Sequence, residues 1–329
     1  MKRLLLVTGS GRSGTSSVAG TLKRLGLHVP QPEVPADEKN PLGYYETQWV
    51  ADFHKDWLDA IHVRTIDTRP RAGEAAMATV TPEREAEFRD WLAAELADRP
   101  DGDVVMIKET RAYWVYPLWQ RVAADVGAEL ISLTMLRHPA QVVRSRDTAY
   151  LSERSDEFRL QRETANVAAW MNSVFVTERA TRGNPRAFVP YYDLVGDWRS
   201  AMTRAGRQLG IDIGDLGSPH PVDDFITPSL NRSSDSWEGL HVPASLRELA
   251  EQTWEAANVL VETSGDEVVQ AELEGLAATY AGLYATAAAL AADEKKAALL
   301  AERTEFQDRL DKKNRRIEKL RAKLREAGP

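Results

Sequence analysis

Residues 4–26, LLLVTGSGRSGTSSVAGTLKRLG, constrain the fold more than any other stretch of the chain. Leu4 to Thr8 is a continuous apolar run that ends in glycine, the pattern of a strand buried on both faces of a parallel sheet. From Thr15 the apolar residues Val18, Leu22 and Leu25 fall at helical spacing, and Gly26 supplies a stop. The glycine-serine run between them, GSGRSGTSS, therefore joins a strand to a helix. A helix N-terminus with exposed backbone N–H groups is an anion site, and glycines let the backbone approach the anion closely. The run almost fits the phosphate-binding loop pattern. Gly9 and Gly14 are correctly spaced and Ser16 is in place, but Thr15 stands where the lysine that grips a γ-phosphate belongs. The anion this loop suits is one without a β,γ-phosphate tail, with Arg12 supplying positive charge from inside the loop.

The same strand-then-helix rhythm continues. Val104 to Lys108, Leu130 to Leu136 and the shorter Ala187 to Tyr191 read as buried strands. Helical patterns lie at about 46–61, from Thr81-Pro82-Glu83 onward, and at about 157–182. This alternation predicts a three-layer α/β/α domain around a central parallel sheet. Residues 29–43 and 212–242 read as loop. From 243 the composition shifts to helix formers, which predicts a long helical C-terminal extension. The expected organisation is a catalytic domain over 1–242, a helical segment over 243–292 and a basic helix over 293–329. In that tail Leu299, Arg303, Phe306, Leu310, Lys313, Ile317, Leu320 and Leu324 recur with the alternating offsets of a coiled-coil seam. Residues 299–326 thus offer a surface to a second copy or a partner helix, or else form a solvated helix.

Composition narrows the function classes. The net charge of −8 gives no global reason to expect a nucleic-acid partner, and the absence of cysteine excludes disulfides and thiolate chemistry. No cluster of His, Asp and Glu has metal-ligand spacing. Lys2-Arg3 followed by Leu4 to Val7 imitates a signal peptide, but its apolar run is too short and leads into glycines. No stretch approaches the ~20 apolar residues of a membrane span. The expectation is a soluble cytoplasmic protein.

A second constellation lies in LRHPAQVVRSRD, residues 136–147. Arg137 ends a predicted strand at the carboxyl edge of the sheet, where ligands of such folds bind. Ser145 follows about two turns into the next helix, so the two side chains can converge on one further phosphate, or Arg-His-Pro is simply a strand-to-helix corner.

With both constellations in view, the chain resembles the P-loop sulfotransferases that use 3′-phosphoadenosine-5′-phosphosulfate (PAPS), and in particular their bacterial carbohydrate-type branch. In that family a lysine-less Arg-Ser-Gly-Thr loop binds the 5′-phosphosulfate, and a strand-end arginine with a serine eight residues later binds the 3′-phosphate. Here these are Arg12, Ser13, Gly14 and Thr15, flanked by Gly11 and Ser16, and then Arg137 and Ser145. NPLGYYE, 40–46, resembles the family's Asn-Pro-x-Gly-aromatic-x-Glu segment, whose glutamate is the candidate base. MIKETR, 106–111, resembles its Ile-Lys-Asp-Pro-Arg strand end, with Glu109 and Thr110 in place of Asp-Pro. VPYYDL, 189–194, resembles its segment near the adenine, with Tyr192 in the tyrosine place. PSLNRSS, 228–234, lies where the family closes a loop over the donor, which makes Arg232 a donor contact. The resemblance covers roughly residues 3–235 and leaves out the tail.

The resemblance implies a sulfotransferase fold, PAPS as co-substrate with 3′,5′-adenosine bisphosphate (PAP) as product, no metal, and a small-molecule or glycan acceptor bearing a hydroxyl. In-line sulfuryl transfer needs a base for the acceptor hydroxyl and positive charge for the leaving phosphate. Glu46 is the candidate base, and His54, two helical turns later, is the alternative. Lys108 and Arg12 are the candidate stabilisers. Lys108 and Arg111 are placed to bind the donor sulfate or an acidic acceptor, or to pair with Glu109. Tyr44, Tyr45, Trp49 and Trp57 either wall the acceptor site or belong to the core. Two other readings stay open: a small-molecule kinase, against which Thr15 speaks, and a scaffold assembled through the tail.

Overall fold

The computed structural model describes residues 2–38, 40–150, 155–227 and 233–326. In chain order it contains β1 (Lys2–Thr8), α1 (Thr15–Arg24), α2 (Gln48–Ala60), α3 (Ala72–Met77), α4 (Pro82–Ala97), β2 (Val104–Lys108), α5 (Tyr116–Asp125), β3 (Ala128–Leu136) and α6 (Pro139–Tyr150). It continues with α7 (Asp156–Thr181), β4 (Arg186–Pro190), α8 (Tyr191–Gly196), α9 (Trp198–Leu209), α10 (Pro221–Phe225), α11 (Ala244–Val259), α12 (Glu267–Leu290) and α13 (Ala292–Glu326).

All four strands are parallel, in the order β2-β1-β3-β4. Alternation along the strands separates two packed layers. Leu5 and Val7 of β1 join Val18 and Leu22 of α1 and Met202 of α9 on one face. Leu4 and Leu6 join Trp57 of α2, Phe88 of α4 and Trp119 of α5 on the other. The predicted three-layer α/β/α architecture is therefore what forms. A third cluster joins α6 and α7 to α11 and α12 through Trp170, Phe175, Leu249, Leu260, Leu273 and Tyr280.

The sheet order places the site. From β1 the chain passes to β2 on one side, and from β3 it passes to β4 on the other. The carboxyl ends of β1 and β3 thus flank the point where the winding reverses, where the crevice of an open α/β sheet lies. The register sets Thr8 beside Thr134 and Val7 beside Lys108, so the segments after β1, β2 and β3 leave from one edge.

Local chemistry explains most boundaries. Gly26, at φ 99°, ends the α1 region in a conformation that favours glycine. The Thr81 hydroxyl accepts the Arg84 N–H and Pro82 opens α4, as its sequence predicts. Two expectations change. Within 212–242, read as loop, Pro221–Phe225 forms a short helix because His220 and Asp223 make a reciprocal cap around Pro221. The helix expected from 46 begins instead at Gln48. Backbone bonds Val34 N–H to Glu46 C=O (2.8 Å) and Gln48 N–H to Pro32 C=O (2.8 Å) hold Glu46 in an extended segment ahead of it.

The chain divides into two units, one ending at Tyr280 and the other running from Ala281. The first includes α11 and α12 up to Tyr280, so the boundary falls within the helical segment expected over 243–292. The second contains the end of α12 and all of α13. Among the described residues no single helix is long and apolar enough to cross a membrane.

Candidate active site

The loop after β1 takes its shape from three left-handed residues, Gly9 (φ 135°), Arg12 (φ 74°) and Gly14 (φ 98°). A Cβ on Gly14 would lie 2.3 Å from the Tyr191 ring, and one on Gly9 would lie 2.6 Å from the Met135 carbonyl. Both positions require glycine because the backbone is pressed against its neighbours. Ser13 is fully buried, and both its N–H (3.1 Å) and its hydroxyl (2.5 Å) donate to the Ser10 carbonyl. Ser13 is therefore a brace of the loop, whereas Gly11, Arg12, Gly14, Thr15, Ser16 and Ser17 line a cleft of about 390 Å³ at the start of α1. The positive end of the α1 dipole faces the same cleft.

The opposite wall comes from β3 and α6. The Arg12 Nε donates to the Ser145 hydroxyl (3.1 Å), and an Arg137 Nη donates to the Arg12 carbonyl (3.1 Å). That second bond helps hold Arg12 in its unusual conformation. The Arg137 guanidinium lies 4.3 Å from the centroid of the Tyr191 ring, and its carbonyl accepts the Trp170 indole N–H (3.1 Å). Burial pushes Arg137 below the ordinary arginine value; Tyr191 opposes the shift and the charge of Arg12 adds to it. An arginine stays protonated regardless. Among the described residues neither Arg12 nor Arg137 has a carboxylate within ion-pair distance. Two guanidiniums so placed repel each other, and an anion between them and Ser145 would relieve that repulsion.

At the β2 side, the buried Lys108 ammonium donates to the Glu46 carboxylate (2.5 Å) and to the Ser16 hydroxyl (3.3 Å). Asn40 donates to the same hydroxyl (3.2 Å) and to the Gly43 carbonyl (2.6 Å). The chain Glu46–Lys108–Ser16–Asn40 thus ties a carboxylate to the phosphate loop. Tyr44, Thr65, Thr110 and Arg146 complete the lining. Among the described residues, Arg12, Lys108, Arg137 and Arg146 line this cleft with one carboxylate, that of Glu46, in a chain whose net charge is negative. The cleft is built for anions.

Of the residues singled out in the sequence, Glu46, Arg12, Lys108, Gly11, Gly14, Thr15, Ser16, Arg137 and Ser145 converge here. The Arg12 side chain is held by Ser145, and Arg137 bonds the Arg12 carbonyl. His54 is not in the cleft. It is fully buried, its ring stacks on Trp119 (5.5 Å between centroids, 2° between planes), and Phe53 and Phe88 meet it edge-on. Its Nε2 accepts the Trp119 indole N–H (3.1 Å), which assigns the proton to Nδ1, facing the Val50 carbonyl (2.9 Å). Burial, the largest influence, keeps the imidazole neutral below its ordinary value, against the pull of Glu109. His54 cannot serve as the base from this position.

Tyr192 is likewise displaced. It is half exposed, with its hydroxyl toward Asn258 (3.5 Å), and Tyr191 takes its place in the cleft. Arg111 is engaged by the fully buried Glu109, which accepts two guanidinium bonds (2.7 and 2.9 Å) and the Arg111 N–H (2.7 Å). Of the four aromatics considered for an acceptor wall, Tyr44 lines the cleft and Trp57 is core. Tyr45 is buried against Phe225, and Trp49 stacks on Trp91 at 4.6 Å. Arg232 lies outside the described residues. Ser17, Asn40, Thr65, Arg146 and Tyr191 were not singled out in the sequence, and Thr110 was noted there only as a departure from the family pattern. Arg146 had a signal, since it follows Ser145 on the same helix turn. Among the described residues no group of three or more His, Asp or Glu is placed to hold a metal ion.

No protein-family model and no curated protein matches the chain. Among solved structures it is similar to the sulfotransferase domain of the Synechococcus PCC 7002 olefin synthase, with 19% identity over 78% of this chain and 94% of that one and a TM-score of 0.43. It is similar to the sulfotransferase domain of the curacin biosynthetic pathway, with 14% identity, 78% and 98% coverage and a TM-score of 0.42. It is also similar to the sulfotransferase STF1 of Mycobacterium tuberculosis H37Rv, with 16% identity, 77% and 76% coverage and a TM-score of 0.39.

Proposed function

We propose that the chain is a sulfotransferase that moves the sulfuryl group of PAPS to an acceptor hydroxyl. The observation that supports this reading is that cationic side chains of one cleft gather in two groups. The lysine-less loop faces Lys108 and Glu46 at one end, and Arg12, Arg137 and Ser145 meet at the other. A donor with one anionic group on its 5′ side and a second on its 3′ side matches that division. A triphosphate tail would want the lysine that Thr15 replaces.

In this reading the Gly11–Ser16 backbone N–H groups hold the 5′-phosphosulfate, while Arg137, Arg12 and Ser145 hold the 3′-phosphate, with Tyr191 backing the guanidinium. Glu46 takes the acceptor proton as the acceptor oxygen forms its bond to sulfur. The bond from sulfur to the phosphate oxygen breaks, and Lys108 and the α1 N-terminus stabilise the charge left on that oxygen. The products are a sulfate ester and PAP, and no metal is required for the step. Thr65, Thr110, Asn40 and Tyr44 give the cleft hydroxyl and amide groups, which suits a polar acceptor such as a carbohydrate, a glycolipid or a hydroxylated secondary metabolite. The test is mass spectrometry after incubation with PAPS and pools of such hydroxyl compounds. The expected result is a product heavier by one SO₃ together with stoichiometric PAP. PAP release without a sulfated product, or transfer from ATP instead, would overturn the proposal.

A further inference from the structure

The element that the site leaves unused is α13, one continuous helix over Ala292–Glu326. It carries an apolar seam that is open to solvent: Leu299, Phe306, Leu310, Ile317 and Leu320 are 41–67% exposed. Leu324 continues the sequence pattern. Seam positions alternate by four and three residues from 299 to 324, close to four heptads, which is enough length for a coiled coil. At 1.5 Å per residue the seam spans about 39 Å.

We propose that α13 joins two copies of this chain as an antiparallel coiled coil. Two charges within the seam decide the direction. Arg303 and Lys313 occupy core positions. A parallel, in-register pair stacks each core residue on its own copy, so Arg303 would meet Arg303 and Lys313 would meet Lys313 between helices about 8–10 Å apart. An antiparallel pair brings each core residue opposite a different one. With Leu299 opposite Leu324 of the second copy, the same register sets Phe306 opposite Ile317, Arg303 opposite Leu320 and Lys313 opposite Leu310. Each cation then lays its methylene stem along a leucine and extends its head to water.

The flanking charge agrees. Residues 292–311 carry six carboxylates and four cations, whereas residues 312–326 carry eight cations and two carboxylates. A parallel pair would hold two strongly basic ends side by side within a Debye length, and an antiparallel pair sets each basic end against the mildly acidic half of the other helix. In this register Glu302 falls beside Arg316 of the second copy. A lone amphipathic helix on an anionic lipid surface would use the basic half and leave Leu299 and Phe306, in the acidic half, uncovered.

The absence of native cysteine makes the direction measurable in the full-length chain. Light scattering at tens of micromolar should give twice the mass of one chain, and the paired substitution Leu310→Glu, Ile317→Glu should halve it. Leu299→Cys and Leu324→Cys chains, each oxidised alone, should stay uncrosslinked. Mixed, allowed to exchange and then oxidised, they should form a disulfide-linked pair. A monomeric full-length chain, whether or not it sediments with anionic vesicles, would overturn the proposal. So would efficient crosslinking of Leu299→Cys to itself, the signature of a parallel pair.

Discussion

Replacing His54 by glutamine tests whether that residue is core or catalytic, and the structure fixes the expected size. The His54 Nε2 lone pair accepts the Trp119 N–H. Protonating Nε2 would set two donors face to face inside an aromatic box, so the folded chain refuses a proton that the unfolded chain accepts. The folded value is pushed down by burial. The stability this gives is complete above the ordinary histidine value of about 6.5 and is lost as the pH falls below it, by at most about 1.4 kcal/mol per pH unit. Between pH 6.5 and pH 5 this one group therefore takes stability away from the folded chain. His54→Gln removes the titrating group and keeps an acceptor for Trp119. It should cost about 1–3 kcal/mol through lost packing, equally at both pH values. Urea unfolding of both proteins at pH 5.0, 5.5, 6.0, 6.5 and 7.5 should show the difference between them shrinking as the pH falls. Comparing the two cancels other groups, including His28, which burial also holds below its ordinary value. Parallel stability curves would refute the neutral, accepting imidazole. A loss of turnover beyond about 100-fold in a folded His54→Gln protein would refute its exclusion from catalysis.

Glu46→Gln should lower kcat by about 10²–10⁴-fold and leave PAP affinity within a few-fold, because the change removes a base and leaves both anion sites in place; turnover and calorimetry on one preparation check this. Lys108→Met removes the cation shared by Glu46 and Ser16, and is expected to weaken the transition state more than PAP binding, read as a fall in kcat larger than any rise in KM. Gly14→Ala places a methyl group against the Tyr191 ring at positive φ, and should destabilise the fold by about 2–4 kcal/mol in chemical denaturation. Tyr191→Leu in the same chain should recover part of that loss, since the obstructing ring is gone.

The sheet was legible because its four strands are largely buried and read as short, mostly apolar runs. The loop between β1 and α1 was legible because its glycines are required by contact with Met135 and Tyr191, and Arg137 because it ends a strand. What failed depended on partners distant in sequence. Glu46 was expected at the start of a helix, but pairing with residues 32–34 holds it extended. His54 lies four residues after Val50 and three before Trp57, the core face of α2, so its burial had a signal that its two-turn spacing from Glu46 outweighed. Choosing between Tyr191 and Tyr192 depends on how β4 leaves the sheet beside Leu136, which local spacing does not encode. The helix of the tail was readable throughout, since its run of helix formers belongs to one segment alone.

The central claim is that the cleft has two separate anion sites, one for each end of a bisphosphorylated nucleotide. Calorimetry with PAP, AMP and magnesium-ATP on the wild-type chain and on Arg137→Ala tests it most directly. PAP should bind about 30- to 150-fold more tightly than AMP, the equivalent of about 2–3 kcal/mol for the charge-assisted bonds of the second site, and Arg137→Ala should bring PAP down to the AMP level. Equal affinity for PAP and AMP in the wild-type chain, or tighter binding of magnesium-ATP than of PAP, would contradict it.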